Sequence, residues 1–446
     1  MTSWRILRGI AGGLAVALLA ALQVSAADRQ PAGNRPERVE WFRDLGFGLF
    51  IHWSVDSQLG VVISHSLVGA SADYIERFFQ LGRTFDPQDF KPERWARLAK
   101  LAGMNYVVFT TKHHSGFCMF ETKTTDFAIT HTPYGRDLTR QLVDAFRREG
   151  IAVGFYFSPD DFHFLHRQGQ AISRDAPHAN PTNNPALMQH NQAQLRELLS
   201  GYGPVEVLFL DGEPAGLKEL AWQLQPNLVV TRGEMQTPEE RLPRQPLPGA
   251  WEACLPMGTQ WHYKPTNERY RSGRQLIEML IETRAKGGNL LLNVGPTPEG
   301  TLPAEQERLL REIAAWMFIN REAIHDTRPW IVTDEEQVNR DTAVWFTQAR
   351  NGSAVYALVT GVSWPWGARR EFVFASLQAM NSTVVTILGE SGLELEYRPD
   401  ANPRPAWRNT PQGLHVSAVR TKRVYNDYDW PNPVVLKLSH VKPLEK

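Results

Sequence analysis

The chain has 446 residues, 42% of them hydrophobic, enough for two domains, one of them with a large core. Its 48 basic and 48 acidic side chains balance, which excludes the basic excess expected of a nucleic-acid partner. The 14 Trp are a weak pointer to sugars, because an aromatic face stacks on the C–H face of a pyranose, but Trp also fills cores.

The N-terminus predicts a secretory signal peptide over 1–26. Arg5 and Arg8 begin it, an apolar run follows, and Val24-Ser25-Ala26 supplies a small-residue cleavage site. The apolar run is shorter than the ~20 residues of a membrane span. No later segment reads as one, so the expectation is a secreted or periplasmic protein with no span in the mature chain. Residues 27–37 read as a polar linker. Cys118 and Cys254 are the only cysteines. They fit no zinc spacing and are expected to be buried small hydrophobes.

From residue 38 to 328, strands and helices alternate. The expected strands are 47–53, 106–112, 153–158, 205–211, 228–232, 251–254 and 289–294. Most are continuous apolar runs, such as "YVVFTTK" and "NLLLNV", the mark of a parallel sheet covered on both faces. Helical patterns occupy 92–103, 140–150, 184–203, 274–288 and 303–320. Several end on Gly, and the last begins with Pro. This predicts a (β/α)8-like, TIM-type barrel, a fold of typically ~250 residues. A doubly wound open sheet is the alternative, but no Gly-rich phosphate fingerprint follows the first strand. Beyond "RPW", short strands such as "TAVWFTQA", "SAVYALVT", "GLELEYR" and "GLHVSAV" predict a C-terminal β-sandwich over 329–446. The stretch "PDANPRPAW" reads as one of its loops.

Barrel enzymes place their reacting groups at the C-terminal ends of the strands. In chain order these ends carry His52-Trp53, Lys112-His113-His114, Tyr156 with Asp160-Asp161, Asp211, and Arg232 with Glu234. The sixth strand carries Glu252. Two carboxylates from different strands, with imidazoles, an Arg and aromatics around them, suit glycoside hydrolysis. Taken singly, each residue has a plainer explanation. Asp211 fits a helix N-cap, Glu252 a surface acid, His52 a hydrogen-bonded core histidine, and Asp160-Asp161 local caps. His113-His114 suggests a metal, but neighbours on a strand point to opposite faces unless the strand stops there. Their coincidence at successive strand ends favours a functional site over these plainer explanations, and no metal or cofactor is expected in it.

These same stretches carry a resemblance. "FGLFIHWS", "AGMNYVVFTTKHHSGFCMFETKTTDFAI", "GFYFSP", "ELLSGYGPVEVLFLDG", "RGEMQTPEERLP", "WEACLPMGTQWHY" and "GGNLLLNVGPTPEGTLP" resemble the motifs of the α-L-fucosidases, glycoside hydrolase family 29. The resemblance spans most of 40–330. It implies a secreted exo-glycosidase that removes terminal α-L-fucosyl groups from glycans by a retaining double displacement. Asp211 matches the nucleophile. His52, His113, His114, Tyr156 and Arg232 match fucose-binding positions, with Trp53 beside them. Glu252 resembles the general acid/base, with Glu234 and Glu239 as fallbacks. Three departures stand out. Ser115 replaces an Asp, Phe209 replaces a Trp, and "SHSLVGASADY" with His65 replaces a Glu-Trp-Tyr stretch after the first strand. The alternatives are a secreted carbohydrate-binding protein that has lost catalysis and a metal-dependent barrel hydrolase using His113 and His114.

Overall fold

The computed structural model describes residues 33–337, 343–361, 363–425 and 431–444. The expected signal peptide and most of the expected linker lie outside the described residues. The linker's last residues already enter a helix, α1 (Pro36–Leu45).

Seven strands form one parallel sheet: β1 (Phe47–Ile51), β2 (Tyr106–Lys112), β3 (Ala152–Phe157), β4 (Val207–Leu210), β5 (Val229–Val230), β6 (Glu252–Pro256) and β7 (Asn289–Val294). Their spatial order is β5-β4-β3-β2-β1-β7-β6. The sheet curls until its edges meet through the chain at 235–240. There Glu252 N donates to Gln236 O at 3.1 Å and Cys254 N to Pro238 O at 3.0 Å. This irregular stretch runs where an eighth strand would close the barrel. Helices α2 (Ala72–Phe79), α3 (Pro92–Leu101), α4 (Leu138–Arg148), α5 (Phe162–Arg167), α6 (Pro185–Gly201), α7 (Lys218–Leu224), α8 (Gly273–Ala285) and α9 (Ala304–Asn320) lie between or after the strands. Their starts follow capping chemistry. Asp137 accepts from Arg140 N ahead of α4, and Ser272 with Gln275 forms a capping box on α8.

The strands are buried on both faces, so hydropathy does not reveal which side chain points inward. The packing does. Phe50, Tyr106, Val108, Tyr156, Val207, Phe209, Val229, Cys254 and Leu291 share one apolar cluster with Phe42 of α1, which fills the barrel. Their strand neighbours Leu49, Ile51, Val107, Phe155 and Leu208 belong to the larger core under the helices. Alternation along a strand therefore fixes each residue's destination. Gly48 is required here, because a Cβ on it would lie 2.5 Å from the ring of Tyr106.

Beyond the barrel, strand β8 (Thr327–Glu336) opens an antiparallel module with β9 (Ala343–Ala349), β10 (Ala354–Thr360), β11 (Arg369–Phe374), β12 (Leu377–Ile387), β13 (Ala406–Thr410), β14 (Gly413–Val419) and β15 (Val434–Pro443). A five-stranded sheet, β12-β15-β10-β9-β8, and a three-stranded sheet, β11-β14-β13, make up the module. "GLELEYR" is not a strand. Gly392 and Tyr397 adopt φ of 64° and 62°, which breaks extended backbone there. A strand the sequence reading did not expect, Ala406–Thr410, begins on the last two residues of the stretch expected as loop. The module holds the barrel through α9, where Trp316 Nε1 donates to Pro433 O at 2.7 Å.

Gly48→Val forces the Tyr106 ring out of the barrel interior. It is expected to destabilise the chain by about 1–3 kcal/mol, as for other overpacked cores, measured by urea unfolding.

Candidate active site

Alternation and strand ends together assemble the site. His52 follows the inward-facing Phe50 by two residues and therefore also points into the barrel mouth. Its Nδ1 is 2.6 Å from Asn293 Oδ1 at the end of β7. β2 stops at Lys112, so His113 and His114 both escape strand alternation, and their ring centroids are 4.2 Å apart. His113 stacks on Tyr156 at 5.2 Å, and His52 meets Tyr156 at 5.5 Å. Asp211 emerges from β4 with Val207 and Phe209 on its side. It caps no helix, since Leu217 precedes α7 and provides no side-chain cap.

Asp211 is the electrostatic centre. Tyr156 donates to its Oδ2 at 2.7 Å, and His114 Nε2 lies 3.5 Å from the same oxygen. Arg232 Nε is 3.3 Å from Oδ1, and Arg174 Nη2 is 3.9 Å from it. Burial pushes this carboxyl up, but the charge of Arg232, the Tyr156 hydrogen bond and Arg174 bring it below the usual carboxylate range. Burial lowers all three imidazoles, His52 to about 4 and His113 and His114 well below their ordinary value. They are neutral at pH 7 and present uncharged nitrogens to a ligand.

Two further carboxylates flank Asp211: Asp160, held with it by Arg174, and Glu239. Arg232 Nη1 donates to its Oε1 while Arg232 Nε faces Asp211, so one guanidinium spans both acids. Glu239 stands on the closing stretch, where Glu240 N donates to Cys254 O at 3.2 Å. Burial raises its pKa, Arg232 opposes this, and the charge of Asp211 raises it further.

Two expected residues do not join the site. Glu252 has the correct parity but lies at the wrong end of the barrel. It is the first residue of β6 and fully buried, and its Oε2 accepts from Tyr106, the first residue of β2, at 2.6 Å. Tyr106 pairs with Ala152, whereas Asp211 bonds Phe157 five residues further along β3, roughly 16 Å at strand rise. Trp53 has the opposite parity from His52. It faces outward and packs on Phe85, Phe90 and Trp95. The fallback Glu234 pairs with Lys218 of α7 at 2.8 Å.

Several residues near the site were not singled out from sequence as ligands. Trp261, which follows β6, faces His52 at 5.1 Å. Arg174 comes from the long connection between α5 and α6 and binds Asp160 at 2.7 Å as well as approaching Asp211. No periodicity marks such a loop residue. Asp161, in contrast, caps α5 as expected. His65 reaches within 5.2 Å of His114, measured between ring centroids. A cavity of about 370 Å³ opens here, lined by His65, Asp160, Arg174, Asn180, Gly212 and Glu213 among others. Phe209 lies beneath Arg232 and stacks on Tyr156, as floor rather than wall.

Ligand atoms of His113, His114 and Asp211 all fall within 4.8 Å of one another, a donor set of metal-binding type. Both oxygens of Asp211 already face Tyr156 or Arg232, and a second guanidinium flanks the group. That positive charge opposes a cation. Cys118 and Cys254 are free thiols, both buried.

Comparison with known proteins agrees with this architecture. The family model described as "Alpha-L-fucosidase" matches residues 22–322. Tissue alpha-L-fucosidase of Homo sapiens is 29% identical over 403 residues, covering 81% of this chain and 82% of the relative. Plasma alpha-L-fucosidase of Rattus norvegicus is 28% identical over 394 residues, 78% of this chain and 82% of the relative. Alpha-L-fucosidase isoenzyme 1 from Paenibacillus thiaminolyticus superposes with a TM-score of 0.71 at 27% identity, covering 92% of this chain and 99% of that one. Thermotoga maritima alpha-fucosidase with a mechanism-based inhibitor gives 0.71 at 26%, covering 90% and 96%.

The Glu252 carboxyl is pushed by burial up to about 7, against the pull of the Tyr106 and Thr231 hydroxyls. Between the ordinary carboxyl pKa and about 7, the folded chain therefore binds a proton that the unfolded chain has released. Stability is expected to fall as pH rises through that window and to level off above it. Glu252→Gln removes this slope, as read from urea unfolding between pH 4.5 and 8.

Proposed function

The chain belongs to the α-L-fucosidase family and is a glycoside hydrolase; on that premise we propose that it removes terminal α-L-fucosyl groups from glycans with retention of configuration. One observation carries the assignment of roles: Arg232 links Asp211 and Glu239 at the C-terminal mouth of the barrel. Two carboxylates tied to one guanidinium suit the ~5–5.5 Å separation of retaining enzymes better than the ~6.5–9.5 Å of inverting ones. Their tuning is opposite, Asp211 low and Glu239 high, as a nucleophile and a general acid require.

Asp211 attacks the anomeric carbon and forms a covalent fucosyl-enzyme as the glycosidic C–O bond breaks. Glu239 delivers its proton to the departing oxygen, then takes one from the water that releases fucose. Tyr156 has its pKa raised well above the usual range by burial and by Asp211, and remains an O–H donor. It holds the attacking carboxylate in place. His52, His113 and His114 hydrogen-bond the sugar hydroxyls as neutral rings. Trp261, against His52 and Phe50, offers the apolar wall that a 6-deoxy sugar presents its methyl to. The leader pattern at 1–26 supports export of the enzyme.

Wild type is expected to release 4-nitrophenol from its α-L-fucoside, with undiminished activity in a chelator. Absence of turnover with fucose binding intact favours the carbohydrate-binding alternative instead. Asp211→Gly is expected to abolish turnover, with partial recovery in azide; an active Asp211→Gly enzyme refutes the nucleophile.

kcat/KM should follow a bell in pH. Activity is lost on the acid side as Asp211 gains a proton and on the alkaline side as Glu239 loses one. Glu239→Ala should cost on the order of 10²-fold or more with a poor leaving group, and less with a good one. Glu252→Gln should leave both rates nearly unchanged, and a large loss there restores Glu252 as the acid.

A further inference from the structure

The segment after β1 departs from the family pattern, yet it fastens the site. Ser64 is fully buried and adopts φ 58°, ψ −33°, a conformation that costs a residue with a side chain. A turn alone would be served better by glycine. The serine hydroxyl makes two contacts that glycine lacks. Ser115 N donates to Ser64 Oγ at 2.9 Å, and His113 Nδ1 lies 2.9 Å from the same oxygen. The backbone of Ser64 is itself held, since its N–H donates to Asp56 Oδ2 at 2.7 Å. Asp56 is fully buried in the short 3-10 turn Val55–Gln58 that follows β1, with His262 Nε2 3.8 Å from its other oxygen. His262 neighbours Trp261, so the contacts tie the loops after β1, β2 and β6 together.

We propose that Ser64, held in its left-handed conformation by Asp56, is a positioning residue that sets the His113 imidazole for the sugar. With Nδ1 engaged by the hydroxyl, the ring's other nitrogen is the one presented to the ligand. Stacking on Tyr156, at an interplanar angle of 1°, fixes the tilt of the ring. Ser64 fixes its rotation in its own plane. The strain is maintained for the hydroxyl, and the hydroxyl serves the binding geometry. The inference rests on His113 being a sugar ligand.

Ser64→Gly and Ser64→Ala separate the two roles. Glycine relieves the backbone and removes the hydroxyl; alanine keeps the strain and removes the hydroxyl. Both are expected to lower kcat/KM for the 4-nitrophenyl fucoside at least tenfold and to weaken fucose binding, read by calorimetry, by a similar factor. The melting temperature of Ser64→Gly should stay within a few degrees of wild type and above that of Ser64→Ala. Wild-type-like turnover and fucose binding in Ser64→Gly overturns the proposal. So does a loss of activity that tracks a fall in melting temperature rather than the loss of the hydroxyl. Calorimetry keeps this outcome separate from the hydrolase assignment, because fucose binding is read even if wild type fails to cleave the fucoside. Wild type that binds no fucose overturns the inference together with its premise.

Discussion

A carboxylate at the mouth of a barrel remains ionised only if its neighbours compensate for the water that burial removes. The cost of that desolvation is several kcal/mol for an ion without partners, and here Asp211 keeps only 15% of its side-chain exposure. The rest of the barrel mouth compensates for it. Two guanidinium groups, from the end of β5 and from the connection before α6, stand on one oxygen. A phenol and an imidazole stand on the other. No single strand supplies all of these. The parallel barrel matters because it brings the ends of separate strands to one ring, so that the charge of one side chain is balanced by several others distant in sequence.

The same burial that threatens Asp211 sets the histidines. Buried among other imidazoles and near Arg174 and Arg232, His114 is held well below its ordinary pKa. A cluster of imidazolium ions would compensate Asp211 more strongly, but would present donors only. Neutral rings can accept from or donate to hydroxyls, which suits a sugar. The positive charge is therefore carried by Arg side chains that stay protonated, and the hydrogen bonding by His side chains that do not.

How much of this was legible in the sequence depended on parity and level. Continuous apolar runs identified the parallel barrel, and strand ends identified His52, His113, His114, Tyr156, Asp211 and Arg232 as neighbours. The same runs hid which face each residue takes. Trp53 was grouped with His52 because they adjoin, yet one step along a strand turns a side chain from the barrel mouth to the outer core. Glu252 fails on level, since it begins β6 whereas the others lie at or just beyond the C-terminal ends of their strands. Glu239 lies in a stretch with no strand pattern, whose role in closing the barrel comes from pairing with distant chain. Arg174 carries no local signal at all, because its position is set by Asp160 across a loop. In the C-terminal module, two residues of positive φ, Gly392 and Tyr397, break the strand expected over 392–398.

Glu252 shows why a buried acid beside Trp reads as functional and yet is not automatically so. Burial alone raises a carboxyl toward neutrality, and that is the property sought in a general acid. Access is the other half. At the floor of the barrel, Glu252 meets the Tyr106 hydroxyl and the apolar filling of the interior, with α1 below. A proton held there has no route to a glycosidic oxygen. At the mouth, Glu239 is raised by the same burial but also by the charge of Asp211, and it keeps 39% of its side-chain exposure. Its surroundings favour the protonated form, and that proton stands where a ligand at the barrel mouth can reach it. What separates the two glutamates is therefore neither residue type nor pKa direction but the level of the barrel at which each stands, a quantity fixed by how the chain pairs rather than by composition.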